Sequence, residues 1–176
     1  MAWTSPTTRT TGNLITAAIW NTDLVDNLTW LHDGHYSVIY KTGDVVHNST
    51  GNWIQVTGFS LLAQTETFWS AGAPDGFTIP ANMSGLYEFR FFVAFDTNGT
   101  GARGCRANFN GGAEETGADL RPASASTYTI SHFASLPRSM VPSDFMIFYA
   151  FQNCGGNLTM KRVNYYSIAA AIVRVG

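Results

Sequence analysis

A chain of 176 residues is long enough to bury one sizeable core and too short for a multidomain machine. Charged residues make up only 12%, about half the usual quarter, hydrophobic residues reach 45%, and the formal net charge is -2. That balance excludes a disordered polyelectrolyte, and with Lys161-Arg162 as the largest basic cluster it offers no counterion-releasing surface to nucleic acid or an anionic membrane.

Residues 1–14 are polar and Thr-rich, interrupted by Pro6 and Gly12, with neither a two-residue nor a 3.6-residue period. They carry no basic start followed by an apolar run, so no signal peptide is expected and the product is read as made in a cytoplasm. Thr16 then offers an N-cap, Ile15 and Trp20 a hydrophobic staple, and Gly34 a stop, which predicts one helix from Ala17 to His32. Within it Ala17, Asn21, Leu24, Leu28 and Leu31 follow the heptad rhythm of a coiled-coil stripe. Two heptads are too short to hold a bundle unaided, so self-association through them requires a second, larger contact surface.

From Tyr36 onward short strands take over. In Gly85–Asp96, Tyr87, Phe89, Phe91, Val93 and Phe95 alternate with Glu88, Arg90 and Asp96, and Phe92 interrupts the polar side. Asp144–Gln152 and Tyr165–Val175 are apolar on both faces, so a sandwich core covers one face and a neighbouring subunit is expected on the other. Further strands are predicted at 37–41, 53–62, 77–79, 103–110, 128–136 and 158–161, separated by turns such as Asn98-Gly99, Asn110-Gly111-Gly112 and 153–157. Short strands at this spacing with no intervening helix predict an all-β antiparallel sandwich. No stretch approaches the ~18 apolar residues of a membrane span, so no membrane insertion is expected.

Chemistry-bearing motifs are few. Gly99-Thr-Gly101-Ala-Arg-Gly104 matches a dinucleotide fingerprint, but a strand pattern follows where a helix N-terminus is needed, so it reads as a hairpin. His32 and His35, with Asp33 or Asp44, lack zinc-site spacing, and Glu114, Glu115 and Asp119 lack that of a calcium loop. No nucleophile elbow or metalloprotease motif occurs, so no catalytic residue, metal or cofactor is expected. Trp53 and Trp69 suit either a core or a sugar-stacking surface. Cys105 and Cys154 read as free thiols.

Two resemblances join these pieces. Phe77-Thr-Ile-Pro80 through Gly85-Leu-Tyr87-Glu-Phe89, then Asn98 to Arg103, Asp144 to Leu158 with Gln152 and Gly155-Gly156, and Tyr166-Ser-Ile-Ala resemble the C1q/TNF-like jelly roll from Phe77 to the C-terminus, with Cys154 standing where a small Ser is usual. Trp3-Thr-Ser-Pro6, Gly12 and Ile15 to Leu31 are similar to the starts of tailed-bacteriophage virion proteins, often labelled minor tail proteins. Together they imply a trimeric jelly-roll protein on the virion surface: an arm and helix (residues 1–35) for attachment and trimerisation, and a jelly-roll domain (36–176). The expected trimer interface comprises Asn21, Leu24, Leu28, Leu31, Tyr87, Phe92, Phe148 and Tyr166. The implied partners are further copies of the chain, another virion protein bound through the arm, and a host-surface glycan or protein. A tail fibre or tip adhesin is the first expectation; a head fibre or capsid decoration protein, and a lectin-like module outside any virion, are the alternatives.

Overall fold

The computed structural model describes residues 16–21, 25, 34–48, 50–70, 75–112, 118–162 and 168–176. A short helix α1 (Ala17–Trp20) is the first turn of the expected helix, most of which lies outside the described residues. Thirteen described strands follow: β1 (Tyr36–Tyr40), β2 (Val45–His47), β3 (Asn52–Gln55), β4 (Ser60–Gln64), β5 (Gly76–Thr78), β6 (Gly85–Phe95), β7 (Ala102–Phe109), β8 (Asp119–Pro122), β9 (Thr129–Ala134), β10 (Arg138–Met140), β11 (Phe145–Gln152), β12 (Leu158–Met160) and β13 (Ala169–Arg174).

They form two sheets with antiparallel pairing throughout. The first runs β2-β12-β6-β13-β1-β4, with β9 and β10 on the other edge of the long β6; the second runs β3-β11-β7-β8, with β5 on β11. The described strands form the all-β antiparallel sandwich that the alternation predicts.

The single strand expected over 53–62 is two strands in different sheets. The break is at Gly58, whose φ of 68° suits a residue without a Cβ. Lys41 Nζ donates to the carbonyls of Thr57 (2.7 Å) and Gly58 (2.6 Å), and Asp75 accepts from the Gly58 amide at 3.0 Å, so this crossing is tied on both sides.

Between the sheets lies an aromatic core. Phe148 of β11 meets Phe91 at 5.0 Å, Phe77 at 5.8 Å and Phe59 at 6.4 Å between ring centroids, bringing strands of both sheets and the crossing segment onto one ring. Tyr87 is fully buried beside Phe68 at 5.8 Å, and its hydroxyl donates to the Met83 carbonyl, which satisfies the one polar atom it carries inward. Tyr87 and Phe148, expected at a subunit interface, therefore belong to the protomer's own interior. Both have 0% exposure, because the odd positions of β6 and the even positions of β11 face the core.

The loops segregate to two ends. At one end Asn98 N donates to Ser124 O, Ala123 N to Gly101 O, Asn153 N to Ala102 O, and Gly155 N to the Thr50 hydroxyl. At the other end the Thr65 hydroxyl holds the Gly34 carbonyl at 2.8 Å, Arg174 N bonds His35 O, and Leu86 N bonds Gly176 O. Residues 34 and 176 thus leave the sandwich together, opposite the end that gathers residues 96–101, 123–128 and 153–157.

Candidate interaction surface

Strand alternation leaves each sheet an outer face, and the two faces differ in what covers them. On the second sheet Trp53 packs on Phe151 at 5.2 Å, and the Arg106 guanidinium lies 4.5 Å over Trp53 and 5.3 Å from the Tyr149 ring. The cation caps the aromatics with the chain's own atoms. This accounts for much of the apolar outer side of β11 that sequence alone assigned to a neighbouring subunit.

Among the described residues, the outer face of the first sheet carries such a cation only at Tyr40, where the Arg162 guanidinium lies 5.8 Å from the ring. Register aligns Tyr36 of β1, Val173 of β13 and Glu88 of β6 in one row; Val38, Ala171, Arg90 and Ala134 in the next; and Tyr40, Ala169, Phe92 and His132 in a third. Ala94 and Ile130 extend it. Tyr36, Phe92, Ile130 and Val173 keep between 37% and 41% of their surface exposed, although Tyr36, Phe92 and Val173 stand on strands paired on both sides. Glu88 and Arg90 are the charges within these rows, and they face each other at 4.0 Å. Ala169, Ala171 and Ala134 keep the rows low, which lets another backbone approach closely. An exposed apolar area of this kind is the candidate association surface of the domain.

His132 sits within this face. Its ring is stacked on Phe92 with centroids 4.2 Å apart and planes 8° from parallel, and its backbone amide donates to Asp119 Oδ2 at 2.8 Å. That same oxygen accepts from Arg121 Nε at 2.7 Å. Nε2 of His132 is covered and has no hydrogen-bond partner among the described residues. Burial, followed by the positive charges of Arg90 and Arg121, holds the imidazole below its ordinary value, while Asp119 opposes them.

Of the interface residues expected from sequence, Phe92 lies on this face, Tyr87 and Phe148 in the core, and Asn21 is exposed just after α1. Leu24, Leu28, Leu31 and Tyr166 lie outside the described residues. Sequence reading missed Tyr36, Val38, Tyr40, Ile130, His132, Ala169 and Ala171. The i, i+2 apolar rhythm of Tyr36-Ser-Val-Ile-Tyr40 carried part of that signal, but only strand register brings the four strands together.

The other motifs resolve locally. Gly99–Gly101 belongs to a loop that crosses from β6 of the first sheet to β7 of the second, which begins at Ala102, so the segment is a connection between sheets and not the expected hairpin. The Arg103 guanidinium, fully buried, donates to the carbonyls of Asn98 (3.0 Å), Thr100 (3.1 Å) and Ala102 (2.9 Å), and so ties the loop to itself. His35 is buried with Nδ1 3.5 Å from Glu66, and Asp44 pairs with Lys161 at 2.6 Å; His32, Asp33, Glu114 and Glu115 are outside the described residues. Among the described residues no group of three or more His, Cys, Asp or Glu stands close enough to hold a metal ion. Cys105 and Cys154 are free, the first within the core.

No protein-family model matches the sequence, and no curated protein matches it significantly. Solved structures do. PRD1 vertex protein P5 superposes with a TM-score of 0.58 at 20% identity, over 81% of this chain and 97% of that one. Eiger TNF from S. frugiperda gives 0.51 at 9% identity over 81% and 93%, and the globular domain of zebrafish complement 1qA gives 0.50 at 11% over 82% and 98%. Likeness at these identities fixes the fold as a TNF/C1q-like jelly roll.

Proposed function

We propose that this chain is a non-enzymatic, homotrimeric component of a bacteriophage particle surface, assembled through the outer face of its first sheet and attached to the particle through residues 1–35. The observation that carries the reading is the exposed apolar face built from β1, β13, β6 and β9, with Phe92 near its centre. Packing three such faces together would cover the rows that the protomer leaves exposed while the capped second sheet stays outward. The polarity of the domain supports attachment by the arm: residue 34 emerges at one end, and the loops around residues 98, 125 and 155 are held at the other, free to meet a host-surface glycan or protein. Light scattering at micromolar concentration tests assembly, with three copies expected and a stable monomer excluding the reading.

Within the virion, the first placement is a tail fibre or tip adhesin, following the phage tail-like start of the sequence. A second is a spike or decoration protein on the shell, and the likeness to PRD1 vertex protein P5 favours it. Gold-labelled antibody on intact particles separates them: label at the tail supports the adhesin, and label on the shell supports the decoration protein. Glycan binding by a protein absent from particles would support a lectin-like module instead.

A further inference from the structure

We propose that His132 is an acid-sensitive latch of the subunit interface: neutral, it packs with Phe92 into the contact between copies, and protonated, it opens that contact. This rests on the trimer reading above, since it concerns the same face.

The argument starts from geometry. The imidazole is one of the flat surfaces of the apolar face, parallel to Phe92 at 4.2 Å, so any copy packed over Phe92 also packs at His132. Its Nε2 has no hydrogen-bond partner among the described residues, and a neutral imidazole tolerates that far better than a cation does. The surroundings offer a proton no welcome. From β6 comes Arg90, with Glu88 on its far side at 4.0 Å; from β8 come Arg121 and Asp119, whose Oδ2 is already shared between Arg121 and the His132 amide. From β7, the Cys105 thiol is buried and held protonated, Arg103 is bound to loop carbonyls, and Arg106 lies over Trp53 on the other sheet. From β13, the neighbours across Phe92 and Arg90 are Ala169 and Ala171. Two guanidiniums therefore face this ring against one carboxylate that is already occupied.

The linkage has a definite sign. Burial and the two arginines hold His132 below its ordinary value in the protomer. Covering the ring with a second copy removes more water and favours the neutral form further, so assembly binds fewer protons than the free protomer. The contact is complete above the protomer's own lowered value for His132 and is lost as pH falls through that value. If three such rings titrate together, the trimer dissociation constant rises by up to about a thousandfold per pH unit.

The test is sedimentation or light scattering of the full chain at fixed micromolar concentration, from about pH 8 to about pH 5, with near-UV circular dichroism to follow the fold. Wild type is expected to be trimeric at the upper end and to shift to folded monomers at the lower. His132→Phe, which keeps a flat ring and cannot titrate, is expected to remain trimeric throughout. Arg90→Gln, which removes a repelling cation and so eases protonation of His132 in the protomer and the assembly alike, is expected to move the transition to higher pH. A wild type trimeric across the whole range, or a His132→Phe protein that dissociates as wild type does, overturns the latch while leaving the trimer intact. A wild type monomeric at both ends overturns the trimer reading itself.

Discussion

Phe148 and Phe92 are both phenylalanines at even positions of long strands, yet they do opposite jobs. Phe148 is the ring on which three others meet, so Phe148→Ala should cost about 3–5 kcal/mol through lost burial and the cavity left behind. Urea unfolding of the variant measures it. Thiol chemistry separates the cysteines in the same way. Cys105 has no exposed surface, and burial pushes its thiol far up, whereas Cys154 is half-buried in the 153–157 loop. One thiol per native chain should react rapidly with an alkylating reagent and the second only on unfolding, as mass spectrometry would show. At Asp44, the Lys161 ammonium and the Arg162 amide hold the carboxyl below the usual carboxylate range. The stabilisation is present above that range and disappears as pH falls through the lowered value, so Asp44→Asn should flatten the acid limb of a stability-versus-pH curve.

At the scale of elements, β6 shows what alternation can and cannot reveal. Its inward set, Tyr87 to Phe95, was legible because those odd positions are all apolar or aromatic while Glu88 and Arg90 mark the other side. Strand β11 was legible as a strand but not as an orientation: both parities are apolar, and choosing Phe148 as outward was a choice between two equally hydrophobic sides. The short strands β2, β8 and β10 escaped notice because three or four residues, including Arg121, Pro122 and Arg138, show no period long enough to read. They exist because longer neighbours supply their hydrogen-bonding partners. The exposed apolar face was legible only at Phe92, since its other parts come from strands up to 137 positions apart along the chain, as Tyr36 and Val173 are. Two variants probe this level. Phe92→Asp should leave the protomer folded, its side chain being 39% exposed, yet abolish assembly by placing an unpaired carboxylate in the contact, at a cost of about 3 kcal/mol or more. Light scattering and thermal melting read the two effects separately. Gly101→Ala should destabilise by about 1–3 kcal/mol, because φ is +78° and a Cβ there would stand 2.5 Å from the Asn153 carbonyl oxygen. Its assembly state should be unchanged once folded.

Across the whole molecule, the low charge and the aromatic excess now have distinct locations. Much of the aromatic content fills the core, a smaller part is capped by Arg106, and the remainder lies on the exposed apolar face. The first and last described parts of the domain share one end, Arg174 bonding His35 and Gly176 bonding Leu86. A reporter domain joined after Gly176 would therefore project from the end at which residue 34 emerges. The Gly155-Gly156 turn has open space around both residues and lies at the opposite pole. A short epitope spliced between those glycines would be carried outward from the pole opposite residues 34 and 176, which makes that turn the natural port for foreign cargo.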